Sequence, residues 1–223
     1  MPTRRALLMA GLSALVLRPG PTVAQPAAST ADSLAAAVQA HYEGVRDFTA
    51  DFEQAYVGGA LKRRTVERGT VAISKPGRMR WDYQSPEKKL FVSDGTRMYF
   101  YVPADRQVRV SALPEDGRVP TPILFLAGRG DLRRDFRAEE VAVPAGVTGA
   151  RALRLRPVRP EPEYDTLTLV VDASSKALRQ LIVVDGQGGT STFTFTKLRE
   201  NVGVPDSRFV FTMPRGVDVV TQG

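Results

Sequence analysis

The sequence offers few of the side chains that carry out chemistry. It contains 0 cysteines and a single histidine, His41, in 223 residues. These counts exclude a disulfide framework, a cysteine nucleophile, a thiolate metal site and any metal site that needs two imidazoles. They also disfavour a histidine-centred catalytic relay, since His41 would have to serve alone. Much of the chemistry that enzymes use is therefore excluded, and no metal or cofactor is expected.

Two serine–lysine neighbours, Ser74-Lys75 and Ser175-Lys176, have the residue types of a catalytic dyad. Adjacent residues of a strand point to opposite faces, so neither hydroxyl is expected to meet its lysine. The glycine-rich stretch at 186–189 lacks the following helix and lysine of a phosphate-binding loop. It is predicted to form a hairpin turn.

Residues 1–24 have the composition of an export signal. Arg4 and Arg5 precede an apolar run at 6–17 that is too short to span a bilayer. Small residues then lead up to Ala24, so we predict cleavage near Ala24, export from the cytoplasm and one mature domain over 25–223. The formal net charge is +7, but no recognition motif accompanies the basic residues, and nucleic acid is not expected as a partner.

The remaining chain is predicted to form a helix followed by an antiparallel β-meander. Apolar residues four apart predict an amphipathic helix at 31–46, and a period of two follows, as at 79–83. A wholly apolar segment at 121–127, opened by Pro122, predicts a second, short helix. No long helices separate the strands as a parallel sheet would require. About eleven strands are predicted, at 48–57, 66–74, 78–83, 88–93, 97–102, 106–111, 136–143, 151–158, 165–172, 177–185 and 190–199.

A sheet of this size, curled on itself, could enclose a hollow. A barrel of about eight strands is just filled by its own side chains, and a wider one leaves space. An apolar hollow suits an acyl chain, although a flattened sandwich with a packed core fits the alternation equally well. The candidate cavity residues are Phe48, Phe52, Met79, Trp81, Leu153, Leu155, Leu167 and Leu169, with Leu124 and Phe125 from the short helix.

The order of several short motifs resembles a known family. After the leader and the helix, the chain reads FTADFEQ at 48–54, GTVAISKP at 69–76, RW at 80–81, VSDG at 92–95, MYFYVP at 98–103, TP at 121–122 and FVFTMPRGVDV at 209–219. This arrangement resembles the LolA-type outer-membrane lipoprotein carriers of Gram-negative bacteria. The match spans essentially the whole mature chain, and its specificity comes from the order and spacing of the motifs together.

The resemblance implies a mainly β fold, an incomplete eleven-stranded antiparallel barrel lidded by helices over a hydrophobic cavity. It implies a monomeric periplasmic chaperone that shields the acyl chains of lipoproteins on the way to the outer membrane and that is not an enzyme. The implied partners are acylated lipoproteins, an inner-membrane lipoprotein-releasing ABC transporter and, in many bacteria, an outer-membrane receptor lipoprotein.

The resemblance also implies a clamp that holds the lid. The family has an arginine just before the proline equivalent to Pro76, and this chain has Lys75 there. Lysine offers three donors from a compact ammonium in place of a five-donor fork, so a weaker or differently arranged clamp is expected. By the same alignment the neighbours of Lys75 in the lid would be Tyr42, Leu126 and Ala127, and the cavity aromatics fall at Met79 and Trp81.

Three other functions are alternatives to a lipoprotein carrier, and the sequence bears on each of them differently. The same fold could carry a free lipid or glycolipid, because Lys75 and Met79 depart from the family pattern. A regulator that senses mislocalised lipoprotein would need an additional domain, for which the mature chain has no room. A periplasmic hydrolase would need a nucleophile and a base that converge, which the sequence does not offer.

Overall fold

The fold is known from a computed structural model that describes residues 30–59, 63–113, 128 and 131–222. Its helices are α1 (Thr30–Gly44), the single-turn α2 (Leu132–Asp135) and a 3₁₀ helix (Asp206–Phe209). α1 confirms the helix predicted at 31–46. The predicted leader at 1–24 and the predicted helix at 121–127, with Leu124, Phe125, Leu126 and Ala127, lie outside the described residues.

A single 12-stranded sheet makes up the rest of the fold. All eleven predicted strands are present, and a further short strand near the end of the chain was missed. The strands are β1 (Asp47–Val57), β2 (Arg64–Ser74), β3 (Arg78–Ser85), β4 (Lys89–Asp94), β5 (Arg97–Val102), β6 (Gln107–Ala112), β7 (Phe136–Val141), β8 (Ala150–Pro157), β9 (Thr166–Asp172), β10 (Leu178–Val184), β11 (Thr190–Glu200) and β12 (Asp218–Gln222).

The sheet is open, as an incomplete barrel requires. Its order is β12-β6-β5-β4-β3-β2-β1-β11-β10-β9-β8-β7, so β12 and β7 form the two edges. Neighbours pair antiparallel except β12, which runs parallel to β6. This parallel pairing explains why β12 escaped prediction, since it is reached by a long connection after β11 rather than by a hairpin turn.

The sheet curves strongly around its apolar face. Trp81 on β3 lies 5.6 Å from Phe193 and 6.1 Å from Phe195 on β11, measured between ring centroids. Two strands separate β3 from β11 in the sheet order. Three strand spacings would span about 14 Å in a flat sheet, so these contacts require the inner face to be concave.

Helix α1 covers this concave face. Its buried stripe consists of Ala31, Leu34, Ala35, Val38 and Tyr42, which belong to one apolar cluster with residues of β1, β3, β8, β9 and β11. The helix forms here because its apolar positions recur at helical spacing and can be buried against the sheet. Within the described part of the chain, no helix is both long enough and apolar enough to cross a membrane.

Candidate functional site

Lys75 connects the sheet to the C-terminal end of α1. It follows β2 directly, its backbone N–H donates to the Arg46 carbonyl at 2.9 Å, and its ammonium donates to the Tyr42 carbonyl. The ammonium nitrogen also lies 5.7 Å from the centre of the Tyr42 ring. The last carbonyls of a helix lack partners inside the helix and carry its negative dipole end, so a cation is favoured at this position.

Gly128 lies against the aliphatic stem of Lys75. A Cβ atom at this position would lie 2.7 Å from Lys75 Cδ and 3.0 Å from Cγ. Gly128 also has a φ of 79°, in the left-handed region that favours glycine. The distances show that the lysine stem packs closely on the backbone of residue 128, directly after the predicted short helix, and both observations favour glycine there.

His41 and Tyr42 make further contacts from the same end of α1. His41 Nε2 lies 3.0 Å from a carboxylate oxygen of Glu200, at the end of β11. The Tyr42 hydroxyl accepts a hydrogen bond from the backbone N–H of Leu178 at 2.9 Å. Because Lys75 follows β2 and Glu200 ends β11, the helix end is tied to the strands on both sides of β1.

Asn201 completes this attachment. Its side chain accepts from the Arg46 N–H at 2.8 Å and donates to the Gly44 carbonyl at 3.2 Å. Its own N–H donates to the Asp47 carbonyl at 2.7 Å. Asn201 has a φ of 55°, which asparagine tolerates better than most residues. We call residues 41–46, with these partners, the anchored end of α1.

Burial sets the electrostatics of the anchored end. It lowers the pKa of Lys75, although the nearby carboxylates of Glu43 and Glu200 oppose the shift. It raises the pKa of Tyr42, and the charge of Glu200 adds to that increase. A half-buried ammonium is thus held at a helix end, with two acids near enough to favour its charged form.

The N-terminal half of α1 is attached differently. A cleft of about 680 Å³ lies between it and the segment formed by α2 and β7, and we call this space the α1–β7 cleft. Polar links on this side include the Leu132 N–H, which donates to Gln39 Oε1 at 3.1 Å, and a hydrogen bond between Thr30 and Glu140. The cleft is lined by Asp32, Ala35, Asp131, Leu132, Arg133, Arg134, Phe136, Arg137 and Ala138.

Beneath α1 the inner face of the sheet carries an aromatic cluster, Phe52, Trp81, Tyr83, Phe193 and Phe195. Ring centroids lie 4.9 Å apart for both Phe52–Trp81 and Phe52–Tyr83, in edge-to-face geometry. The candidate cavity residues that the structure describes are all buried in the same apolar cluster: Phe48, Phe52, Met79, Trp81, Leu153, Leu155, Leu167 and Leu169.

The serine–lysine neighbours are engaged elsewhere. The hydroxyl of Ser74 accepts from Arg78 at 3.3 Å, while the ammonium of Lys75 bonds to α1. The ammonium of Lys176 donates to the carbonyls of Ala173 and Ser174. Neither lysine ammonium hydrogen-bonds to the hydroxyl of its serine neighbour.

Comparison with known proteins agrees with this architecture. Residues 43–212 match the family described as Outer membrane lipoprotein carrier protein LolA. A protein of Chromohalobacter salexigens named Outer-membrane lipoprotein carrier protein is 31% identical over 204 residues, covering 91% of this chain and 92% of that protein. The chain belongs to the LolA family.

Other relatives extend the similarity. A protein with the same name from Dechloromonas aromatica is 29% identical over 178 residues, which cover 80% of this LolA-family chain and 83% of its relative. The crystal structure of an uncharacterized conserved protein from Thermus thermophilus shares the fold. It matches with a TM-score of 0.52 and 14% identity, over 87% of this chain and 100% of that one.

Three residues of this LolA-family site were not found from the sequence. Glu200, Asn201 and Gly128 have the sequence context of ordinary surface or turn positions, yet all three contact the anchored end of α1 or Lys75. An Asn-Val-Gly run after a long strand signals a turn at 201–203. That signal does not predict which helix the turn contacts, because the hydrogen bond between Asn201 and Arg46 joins residues more than 150 positions apart.

Proposed function

We propose that this protein carries acylated lipoproteins through the periplasm, with their acyl chains held between α1 and the concave sheet. Support comes from the family, whose description names a lipoprotein carrier, and from the apolar interior. The observation that carries the proposal is a helix fixed at one end above a large apolar surface, with a cleft at its other end. This arrangement suits a lid, and the proposed activity requires no bond to be made or broken.

In the proposed cycle α1 pivots about its anchored end. Lys75, Asn201 and Glu200 keep the C-terminal turn in place, while the N-terminal half separates from α2 and β7. The α1–β7 cleft then widens into an opening toward the aromatic cluster. A small rotation at the anchored end is sufficient, because the helix is rigid and about 22 Å long. Its N-terminal end, which we call the free end, moves furthest.

The free-energy balance of this cycle must be close to neutral. Each buried methylene of an acyl chain contributes about 0.8 kcal/mol, while opening exposes the apolar stripe of α1, including Leu34 and Val38. A lid that closed too firmly would exclude the cargo, and one that closed too weakly would expose the apolar face to water. A carrier that both accepts and releases its cargo needs two states of similar free energy.

Lys75 is proposed as the clamp that sets this balance. Its ammonium stays on the Tyr42 carbonyl throughout the proposed cycle, so the strength of this half-buried contact sets how firmly the C-terminal turn holds α1 over the sheet. Its proposed partners in the lid are Tyr42, Leu126 and Ala127. Of these three residues, the structure describes Tyr42.

The proposed partners follow from the cargo. Lipoprotein would be received from an inner-membrane ABC transporter and passed toward the outer membrane, in many bacteria through a receptor lipoprotein. Export by the leader at 1–24 would bring the protein to the periplasm, where a soluble carrier is needed because acyl chains cannot cross water unshielded.

The test is to purify the protein from the periplasm of a Gram-negative host and to identify what co-purifies by native mass spectrometry. Triacylated lipoprotein bound in a one-to-one complex would support the proposal. Free phospholipid or glycolipid alone would instead support a lipid carrier with the same lid. A protein that emerges with no acylated molecule, and that takes up none from detergent-dispersed lipoprotein, would refute both.

A further inference from the structure

The apolar interior contains a hydrogen-bond donor with no acceptor. Trp81 is 1% exposed, and within the described part of the chain its indole Nε1 has no hydrogen-bond partner. Buried tryptophan N–H groups usually find an acceptor, since leaving one unpaired is costly. Each such group in a folded protein needs an explanation.

The surroundings of Trp81 explain why no acceptor is present. The rings of Phe52, Phe193 and Phe195 lie within 4.9, 5.6 and 6.1 Å of the indole, centroid to centroid. Its cross-strand neighbours in the sheet are Val71 and Phe91, which are also apolar. Hydrocarbon and aromatic side chains offer no conventional acceptor oxygen, so the donor lies among apolar groups.

The other unpartnered buried atom in the described residues is different in kind. Gln180 Oε1 belongs to an amide whose nitrogen already donates to Thr194 at 3.2 Å, so that side chain is half satisfied. The side chain of Trp81 has a single polar atom, Nε1, and this atom has no hydrogen-bond partner among the described residues. It also lies within the proposed binding surface, whereas Gln180 is not part of the apolar cluster.

We propose that the indole N–H of Trp81 donates a hydrogen bond to an acyl carbonyl of the cargo. This inference rests on the proposed function and adds a chemical preference to it. An acyl chain has one kind of polar atom, the carbonyl oxygen of its ester or amide link, and that oxygen loses its water on entering the site. The hydrogen bond to Trp81 offsets this loss of water, whereas a chain without a carbonyl leaves the indole N–H unpaired.

The consequence is selectivity for acyl over alkyl chains. A site built to hydrogen-bond one group discriminates against an analogue that lacks it, because the protein's polar group then stays unpaired. A hydrophobic cavity alone would hold ester-linked and ether-linked chains of equal length almost equally. Trp81 would distinguish them, favouring the ester by about fivefold for one neutral hydrogen bond.

The chain has 1 tryptophan, Trp81. The ¹⁵N-labelled protein therefore gives a single indole N–H cross-peak, which the experiment follows. Two probes are compared, a lipopeptide with two ester-linked palmitoyl chains and its dialkyl ether analogue of the same chain length. We expect both to bind, the ester about fivefold more tightly, with a downfield shift of the indole proton only for the ester.

Two variants control this result. Trp81→Phe keeps an aromatic ring and removes the donor, so it should bind both probes with equal affinity. Phe193→Leu removes a neighbouring ring and keeps the donor, so it should weaken both probes alike and preserve the preference. Equal binding of both probes by the wild-type protein, with the same indole shift, would overturn the inference while leaving the proposed function intact. If neither probe bound, both the inference and the proposed function would be overturned.

Discussion

The two ends of α1 are held by different kinds of force. At the anchored end, the ammonium of Lys75, the carboxylate of Glu200 and the amide of Asn201 all contact the last turn or the residues just after it. At the other end, the buried side chains of Leu34 and Ala35 rest on the sheet beside the α1–β7 cleft. Directional polar contacts concentrate at one end, and non-directional apolar contacts dominate the other.

This difference indicates how one helix can be both secure and movable. Hydrogen bonds to a helix end fix position and angle, because they fail when the geometry changes by little more than an ångström. Apolar contacts have no such directionality, and an acyl chain can replace them with surface of the same kind. The proposed pivot therefore lies at residues 44–46, and the proposed opening lies at the cleft.

The largest effect is expected from fixing the free end. Cysteines at Asp32 and Arg137, two exposed positions that line the α1–β7 cleft, can be joined by a short bis-maleimide without interference, since the chain has 0 cysteines of its own. We expect the cross-linked protein to lose uptake of a triacylated lipopeptide, measured by native mass spectrometry, and to recover it when the linker is cleavable and is cut.

The matched control cross-links the anchored end. Cysteines replacing His41 and Glu200, whose side chains lie 3.0 Å apart, hold together a contact that the proposed pivot never breaks. This variant should retain uptake. Loss of uptake in the control, or normal uptake with the free end fixed, would place the opening elsewhere.

Replacing Lys75 should weaken the anchored end. Lys75→Leu removes a charge-assisted hydrogen bond to the Tyr42 carbonyl, and we expect a loss of about 1 to 2 kcal/mol in the free energy of unfolding by urea. With a looser lid, onward release of cargo should be impaired more than uptake. Lys75→Arg should restore most of the stability. Unchanged stability and delivery in Lys75→Leu would show that the ammonium does not hold α1.

A smaller effect is expected at Asn201. Asn201→Gly keeps the positive φ accessible and removes the two side-chain bonds to Arg46 and Gly44, with an expected loss of about 1 kcal/mol in unfolding free energy. Asn201→Ala should lose about 1 kcal/mol more, because alanine is strained at this backbone angle. If the alanine variant proved no less stable than the glycine variant, the turn would have changed conformation.

The smallest effect concerns alkaline pH. Burial raises the pKa of Tyr42 and of Tyr83 above the ordinary value of 10.0. Above pH 10.0 the unfolded chain therefore binds fewer protons than the folded one, and stability falls as pH rises. The lowered pKa of Lys75 acts in the opposite sense as pH approaches 10.5.

Urea unfolding at about pH 9 and about pH 11 measures this slope. Tyr42→Phe should reduce the loss of stability between the two values and, at the lower pH, should cost the hydrogen bond from Leu178. Tyr83→Phe is the comparison outside the anchored end, where its hydroxyl donates to Gln54 at 2.8 Å. Equal slopes in the wild type and both variants would contradict the assignment.

Much of the fold could be predicted because its signals are local. Alternation at Met79, Trp81 and Tyr83 predicts a strand with one buried face, and the structure buries the first two completely. The glycine-rich stretch at 186–189 forms the predicted hairpin turn, closed by Asp185. β12 was missed because its parallel partner, β6, lies about 110 residues earlier and leaves no local pattern.

The site could be predicted only in part, for the same reason. Family resemblance placed Lys75 beside Tyr42, and the two are in contact. No pattern in the sequence could pair Asn201 with Gly44, or reveal that Trp81 Nε1 lacks an acceptor among the described residues, because both depend on which distant surfaces meet. Periodicity identifies a buried face, and the curvature of the sheet decides what lies across from it.

The proposed pivot is tested most directly by two distances measured with paired spin labels. One pair joins the exposed residues Ser33 and Glu139 across the α1–β7 cleft, and the other joins the exposed residues Ala40 and Arg199 near the anchored end. On binding a triacylated lipopeptide, the first distance should lengthen and the second should stay unchanged. Lengthening of both, or of the second alone, would contradict a lid that turns about its C-terminal end.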